Sequence, residues 1–299
     1  MKQLIYRIIY NDKINVLLRN VNKLLYPLLP AAIRIAPSGI LKIRKDGKSL
    51  KIKVNQTTYL GTIIFWKGYE TFEYTGIFLS LIKKINIFYD IGANIGYYSL
   101  LAKMVNPGIR IVAFEPATGP LFYLRENIRI NNFDNIKAES LALSDKSGEI
   151  DFYEIKNAKY SYLEHCLAGE GNIGSLTTGR NFVVNRVKTI TLDEYVKKNN
   201  EGTIGLIKMD TEGTENLILE KSAFILGEMK PVIICETIFN KIEHLLEDIL
   251  ILYGYEFYNH TPAGLVKVGT IKRKADNGIS NCFFVHPSKF HLIEEFITK

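Results

Sequence analysis

The sequence has little cysteine, a single tryptophan and no long apolar run. Its three cysteines, Cys166, Cys235 and Cys282, lie far apart and show neither metal nor redox spacing. A reducing cytosolic compartment is the simplest setting for them. Cys235 and Cys282 sit in apolar runs and read as core residues. No stretch of about 18 uncharged apolar residues occurs, so a spanning helix is not expected. The N-terminus is apolar, but Arg7, Asp12, Lys13 and Arg19 interrupt it. A secretory signal would need an uncharged core and a small-residue cleavage site. Repeats and low-complexity tracts are also missing. What remains is an ordinary globular composition: 299 residues, 47% hydrophobic and 23% charged. That is enough for one large domain or two small ones.

The charge is unevenly placed. Residues 1–53 carry twelve Lys or Arg against only Asp12 and Asp46, while the whole chain is +7, so the remainder is mildly acidic. Such asymmetry suggests an anionic partner surface, a membrane face or nucleic acid. Residues 1–35 read as one or two helices, with Leu4, Ile5, Ile8, Leu17, Leu18, Val21 and Leu24 near helical spacing and Pro27, Pro30 and Pro37 breaking the pattern. One reading is an interfacial segment on an anionic membrane. The other is a helix packed on the main domain or on a second subunit, the usual fate of an amphipathic helix. Residues 40–66 read as short strands, with Asp46-Gly47 as a hairpin turn.

The chain is organised around residues 87–99. The apolar run Ile87-Phe88-Tyr89 ends on Asp90, the turn Gly92-Ala93-Asn94-Ile95-Gly96 follows, and Tyr97 starts a helical pattern. A buried strand feeding a tight turn and a helix is the ligand end of a doubly wound sheet. Gly92 and Gly96 let the backbone turn sharply or approach a ligand. The dinucleotide fingerprint would want a further glycine where Asn94 stands. The pattern suits a ligand with an amino-acid part and a ribose, such as S-adenosylmethionine, better than a pyrophosphate. Glu115, at the end of the next strand, stands where ribose hydroxyls are usually met.

Downstream, Thr118 and Pro120 open a helix, residues 136–143 read as a third strand, and residues 149–155 as an antiparallel one. Residues 157–181 hold Gly169, Gly171, Gly174 and Gly179 and read as a lid or substrate loop. His165 lies there and is given no role. Strands at 183–191, 204–209 and 231–235, helices at 214 and 242–252, and late strands near 257, 264–269 and 281–285 complete one α/β domain.

Four segments, FYDIGANIGYYS at 88–99, AFEP at 113–116, ALSDKSGEI at 142–150 and IKMDTEGTENLIL at 207–219, stand together in order with TLDEY at 191–195 and GSL at 174–176. This set resembles the FkbM-type family of S-adenosylmethionine-dependent methyltransferases over about residues 68–290. The resemblance implies a class I methyltransferase fold, an α/β, Rossmann-like seven-stranded sheet with a reversed last strand and helices on both faces. The domain would span 68–299, after a basic extension of helices and a small hairpin at 1–67. It implies S-adenosylmethionine as donor and hydroxyl oxygens of sugars or polyketide-derived molecules as acceptors. By position, Asp90, Gly92, Asn94 and Gly96 would surround the methionine part, Glu115 the ribose, and Ser144 and Asp145 the adenine. A small-molecule or glycan acceptor is expected, with no nucleic acid. A homo-oligomer and a cytoplasmic protein, peripheral at the inner membrane face, fit the rest.

Methyl transfer to a hydroxyl needs the acceptor aimed and its proton removed. Asp210 and Glu212, two apart at a strand end, and Glu236, ending the next strand, are the candidates. Three readings stand side by side: a general base raised by its neighbours, an oxygen site for magnesium, and acids that only cap the following helix. No residue is assigned to a metal. The competing functions are an NAD-dependent oxidoreductase, which would need the missing glycine and a Tyr-Lys pair, and a non-catalytic nucleotide-binding or membrane scaffold, which would not need Asp90, Gly92, Gly96 and Glu115.

Overall fold

A computed structural model describes residues 2–28, 34–167, 170–171, 182–200 and 202–298, with 170–171 as backbone only. Pro30, Gly169, Gly174, Gly179 and the Gly-Ser-Leu run at 174–176 lie outside the described residues. Two helices come first, α1 (Lys2–Ile9) and α2 (Asp12–Leu25), the second capped by the Asn11 side chain, which accepts from the Lys13 and Ile14 amides. The hairpin follows as β1 (Gly39–Lys45) and β2 (Lys48–Val54). Asp46 and Gly47 both have positive φ, 50° and 75°, which a two-residue hairpin turn of matching twist requires. Residues 59–66, expected within a β unit, form helix α3 (Tyr59–Trp66) instead. That run is apolar nearly all round, so its period does not distinguish the two structures.

Helix α4 (Thr75–Leu81) leads to β3 (Ile87–Ile91), all five residues of which are buried. Then come α5 (Tyr97–Val105), β4 (Arg110–Phe114), α6 (Thr118–Ile130) and β5 (Ile136–Glu139). The expected single strand over 136–143 is divided. After β5 the chain leaves the sheet, and β6 (Ala142–Leu143) joins β7 (Gly148–Ile155), β8 (Glu170–Gly171) and β9 (Phe182–Ile190) in a separate four-stranded sheet ordered β6-β9-β7-β8. The chain re-enters through α7 (Leu192–Asn199), β10 (Leu206–Met209), α8 (Glu215–Glu220), β11 (Val232–Glu236) and α9 (Glu243–Leu252). It closes with β12 (Glu256–Thr261), β13 (Gly264–Val268) and β14 (Asn281–Val285).

The central sheet runs β5-β4-β3-β10-β11-β14-β12, with β13 added at the edge as an eighth strand. Its first five strands are parallel, and β14 lies antiparallel between β11 and β12. This is the reversed-last-strand sheet that the resemblance implies. Alternation along each strand builds a core on either face. Phe88, Leu206, Ile234 and Phe283 point to one side, and Tyr89, Ile207, Ile233 and Phe284 to the other. The hairpin's Leu41, Ile43, Leu50 and Ile52 belong to the first of these cores, so β1 and β2 share a core with the sheet. Asn127 on α6 stitches them on: its Oδ1 accepts from the Lys53 amide at 2.6 Å. Helix α2 packs on the rest of the chain through polar side chains. Helix α2 buries Asn15, Arg19 and Asn22 and leaves Leu17, Val21 and Leu24 exposed.

Candidate active site

Strand order reverses between β3 and β10, so the loops after them part and leave a crevice at the sheet's C-terminal edge. A cavity of about 440 Å³ opens there. Gly92, Glu115, Ser144, Asp145, Asp210 and Glu212 line it, and Phe114, Leu143, Ile150 and Phe152 supply apolar wall. Asp90, Asn94, Gly96 and Glu236 stand outside its lining.

The turn after β3 is built by contacts that only its residues allow. Gly92 has φ +69°, and a Cβ there would lie 1.9 Å from the Asp210 carbonyl oxygen. Gly96 has φ +86°, and a Cβ would lie 2.5 Å from Leu124 Cδ1. Asn94 holds φ +50°, which Asn tolerates better than most side chains. Its amide donates to Glu115 Oε2 at 2.7 Å, and Glu115 Oε1 accepts from the Ala117 amide at 2.9 Å. Burial pushes the Glu115 carboxyl up to about 7 against these two hydrogen bonds. Each oxygen keeps a lone pair for a ligand.

Asp90 works beneath the turn. Its carboxylate is 1% exposed and accepts from the Ser99 amide and hydroxyl at 3.1 and 2.6 Å, tying strand β3 to the first turn of α5. Burial pushes it up, with Lys208 and Ser99 pulling the other way. Lys208, whose functional weight sequence reasoning missed, is buried beside it. Its ammonium donates to the Gly92 carbonyl at 2.8 Å and stands 3.7 Å from Asp90 and 3.5 Å from Asp210. Burial opposes its charge, but Asp210, Asp90 and Glu73 together hold its pKa above the usual lysine value. A lone lysine inside an otherwise apolar strand was the available signal, because lysine is rarely buried unless paired.

At the ends of β10 and β11 the carboxylates crowd. Burial first, then Asp210 and Glu212, push Glu236 up to about 8. Glu212, in the left-handed region at φ +59°, is raised by burial and by Asp210. Glu73 also went unnoticed in the sequence. It precedes α4 with φ +42°, accepts from the Tyr98 hydroxyl at 2.9 Å, and is raised by burial and Asp210. No side chain caps α8, whose N-cap residue is Thr214. Glu215 Oε1 accepts from the Thr211 amide at 2.7 Å and so holds the loop between Asp210 and the helix. Among the described residues no three carboxylate, imidazole or thiolate groups converge as metal ligands.

The chemistry of the cavity selects its ligand. Its charged lining residues are Glu115, Asp145, Asp151, Asp210 and Glu212, five acids and no cation among the described residues. A pyrophosphate would meet repulsion there, and the Asn94 amide at the turn is already taken by Glu115. S-adenosylmethionine, with a sulfonium, an ammonium and an apolar adenine, fits both the charge and the walls.

The chain is 24% identical over 152 residues to the 31-O-demethyl-FK506 methyltransferase FkbM of Streptomyces tacrolimicus, covering 45% of this chain and 58% of that relative's length. Among solved structures, a methyltransferase FkbM from Methylobacillus flagellatus superposes with a TM-score of 0.44 at 15% identity, over 67% of this chain and 43% of that one. The M. jannaschii TYW2 complex with AdoMet gives 0.39 at 14%, over 86% and 92%. The model of the methyltransferase FkbM domain matches residues 90–257. That span runs from the acid at the head of the glycine turn into β12, more than half of the sequence, and on it the chain belongs to the FkbM family of S-adenosylmethionine-dependent methyltransferases.

Proposed function

We propose that the protein transfers a methyl group from S-adenosylmethionine to a hydroxyl oxygen of a sugar, a glycan or another small natural-product acceptor. The observation that carries this reading is the crowd of carboxylates beside the cavity, with Glu236 pushed up to about 8. A hydroxyl is a weak nucleophile until a base takes its proton. A carboxylate with its proton affinity raised towards neutral pH by burial and then by like charges is suited to that task. The relative from Streptomyces, named for a 31-O-demethyl compound, points the same way.

The bound donor supplies an electrophilic methyl; the chain's residues do the rest. Glu115 accepts from the ribose hydroxyls, and Ser144 and Asp145 border the adenine. Gly92 gives the methionine part close access to the backbone, while Asp90, Asn94 and Gly96 hold the turn in shape. Asp210 receives the acceptor's proton as its oxygen bonds to the methyl carbon and the carbon–sulfur bond breaks. Glu212 and Glu236 stand close enough to feel the Asp210 charge. The test is labelled methyl transfer to a panel of sugar and small-molecule alcohols, beside melting with S-adenosylhomocysteine or NAD. Label on hydroxyl oxygen and a shift with S-adenosylhomocysteine alone are expected. Label only on nitrogen or carbon acceptors would overturn the acceptor class, and stabilisation by NAD alone would overturn the donor.

A further inference from the structure

The N-terminal helices turn the wrong face outward for a packed element. In α2 the buried residues are Asn15, Arg19 and Asn22, one helical face. Hydrogen bonds hold that face. Asn15 Nδ2 donates to the Ile9 and Ala36 carbonyls, and Arg19 donates to the Ser38 and Ile40 carbonyls at 2.6 and 2.8 Å. The helix cannot roll over without stripping a buried guanidinium of its partners.

The opposite face is apolar and open. Leu17 is 66% exposed and Leu24 77%, and Val21 and Leu25 complete the stripe. Leu4, Ile5 and Ile8 of α1 are exposed as well, and α1 buries no residue at all. So much clustered apolar surface marks a contact with another body.

Charge identifies that body. The exposed charged residues of the two helices are Lys2, Arg7, Lys13 and Lys23 against Asp12. The adjoining hairpin sets Lys42 directly opposite Lys51, a like-charge pair that is unfavourable unless an anion meets it. A second copy docking through the same patch would bring the same positive excess to the contact. We propose that α1 and α2 lie in the interface of an anionic lipid membrane, with leucine and isoleucine side chains among the acyl chains and the lysines at the headgroups. No described helix is long and apolar enough to cross a membrane, so the contact is peripheral.

The full chain, spun with phosphatidylcholine vesicles with or without phosphatidylglycerol, tests this. Co-sedimentation with the anionic vesicles, weak binding to neutral ones and release by salt are expected. The double variant Leu17→Asp with Leu24→Asp changes two exposed side chains, and should melt as the parent does yet partition about a hundredfold more weakly. Lys2→Glu with Lys13→Glu should lose at least about tenfold on the anionic vesicles alone. The proposal is overturned if the parent stays in the supernatant, if the leucine variant binds as the parent does, or if sedimentation equilibrium finds a dimer that this variant dissolves.

Discussion

Lys208 joins the turn after β3 to the end of β10. Its ammonium bonds the Gly92 carbonyl and sits between Asp90 and Asp210. Replacing it by methionine strands Asp90, which is 1% exposed, as an uncompensated buried charge. Breaking such a pair typically costs about 3–5 kcal/mol, so Lys208→Met should melt far below the parent in a denaturant titration. A loss within about 0.5 kcal/mol would show Asp90 to be satisfied by Ser99 alone. Two further substitutions separate donor from acceptor chemistry. Glu115→Ala removes the proposed ribose acceptor together with the partner of the Asn94 amide, and calorimetry should show donor product bound at least about tenfold more weakly. Asp210→Asn keeps shape but cannot take a proton. It should leave donor affinity within about threefold and lower turnover by about 10²-fold or more. Loss of the donor in Asp210→Asn would reverse the assignment of roles.

At the scale of elements, legibility followed chain locality. The strand, turn and helix at 87–105 could be read because apolar run, glycines and helical period are consecutive in the sequence. The Asp46-Gly47 hairpin could be read for the same reason. The departure of β6 from the main sheet was hidden, because residues 136–143 hold no glycine or proline to mark a break and only pairing with β9 divides them. Glu73 was hidden because its place depends on Tyr98 and Asp210, distant in sequence. The outward apolar face of α2 was hidden too. Periodicity shows that a helix has two faces, and only the carbonyls of Ser38 and Ile40 decide which one is bound. The union of hairpin and sheet rests on Asn127, fully buried on α6, which accepts from the Lys53 amide and donates to the Lys53 and Ile95 carbonyls. Asn127→Ala leaves those backbone groups unpaired and should destabilise by about 2–4 kcal/mol. Hydrogen exchange in β2 should quicken before exchange in β3 does. Equal protection of β2 in the variant and the parent would mean that the shared apolar core alone holds the hairpin.

For the molecule as a whole, the acid-rich crevice sets a pH dependence that the surface does not. Glu73, Asp90, Glu115, Glu212 and Glu236 are all raised by burial, Glu115 to about 7 and Glu236 to about 8. A carboxyl whose pKa is higher in the folded state favours folding most when protonated. Its contribution is fully present below the ordinary value of 4.5 and is lost as pH rises through the folded value. The paired surface acids Glu70, Glu126 and Glu256 are lowered, so their contribution disappears only as pH falls below the ordinary carboxylate range. The depressed imidazoles of His260 and His286 act in the opposite sense to the crevice near pH 6, so a single melting curve mixes the signs. The difference between parent and Glu236→Gln isolates one carboxyl. The variant should gain stability relative to the parent steadily from about pH 5 to about pH 8 and level off above that. If the two proteins kept a constant melting difference across that range, Glu236 would be ionised in the folded state at neutral pH, and burial would not raise its carboxyl.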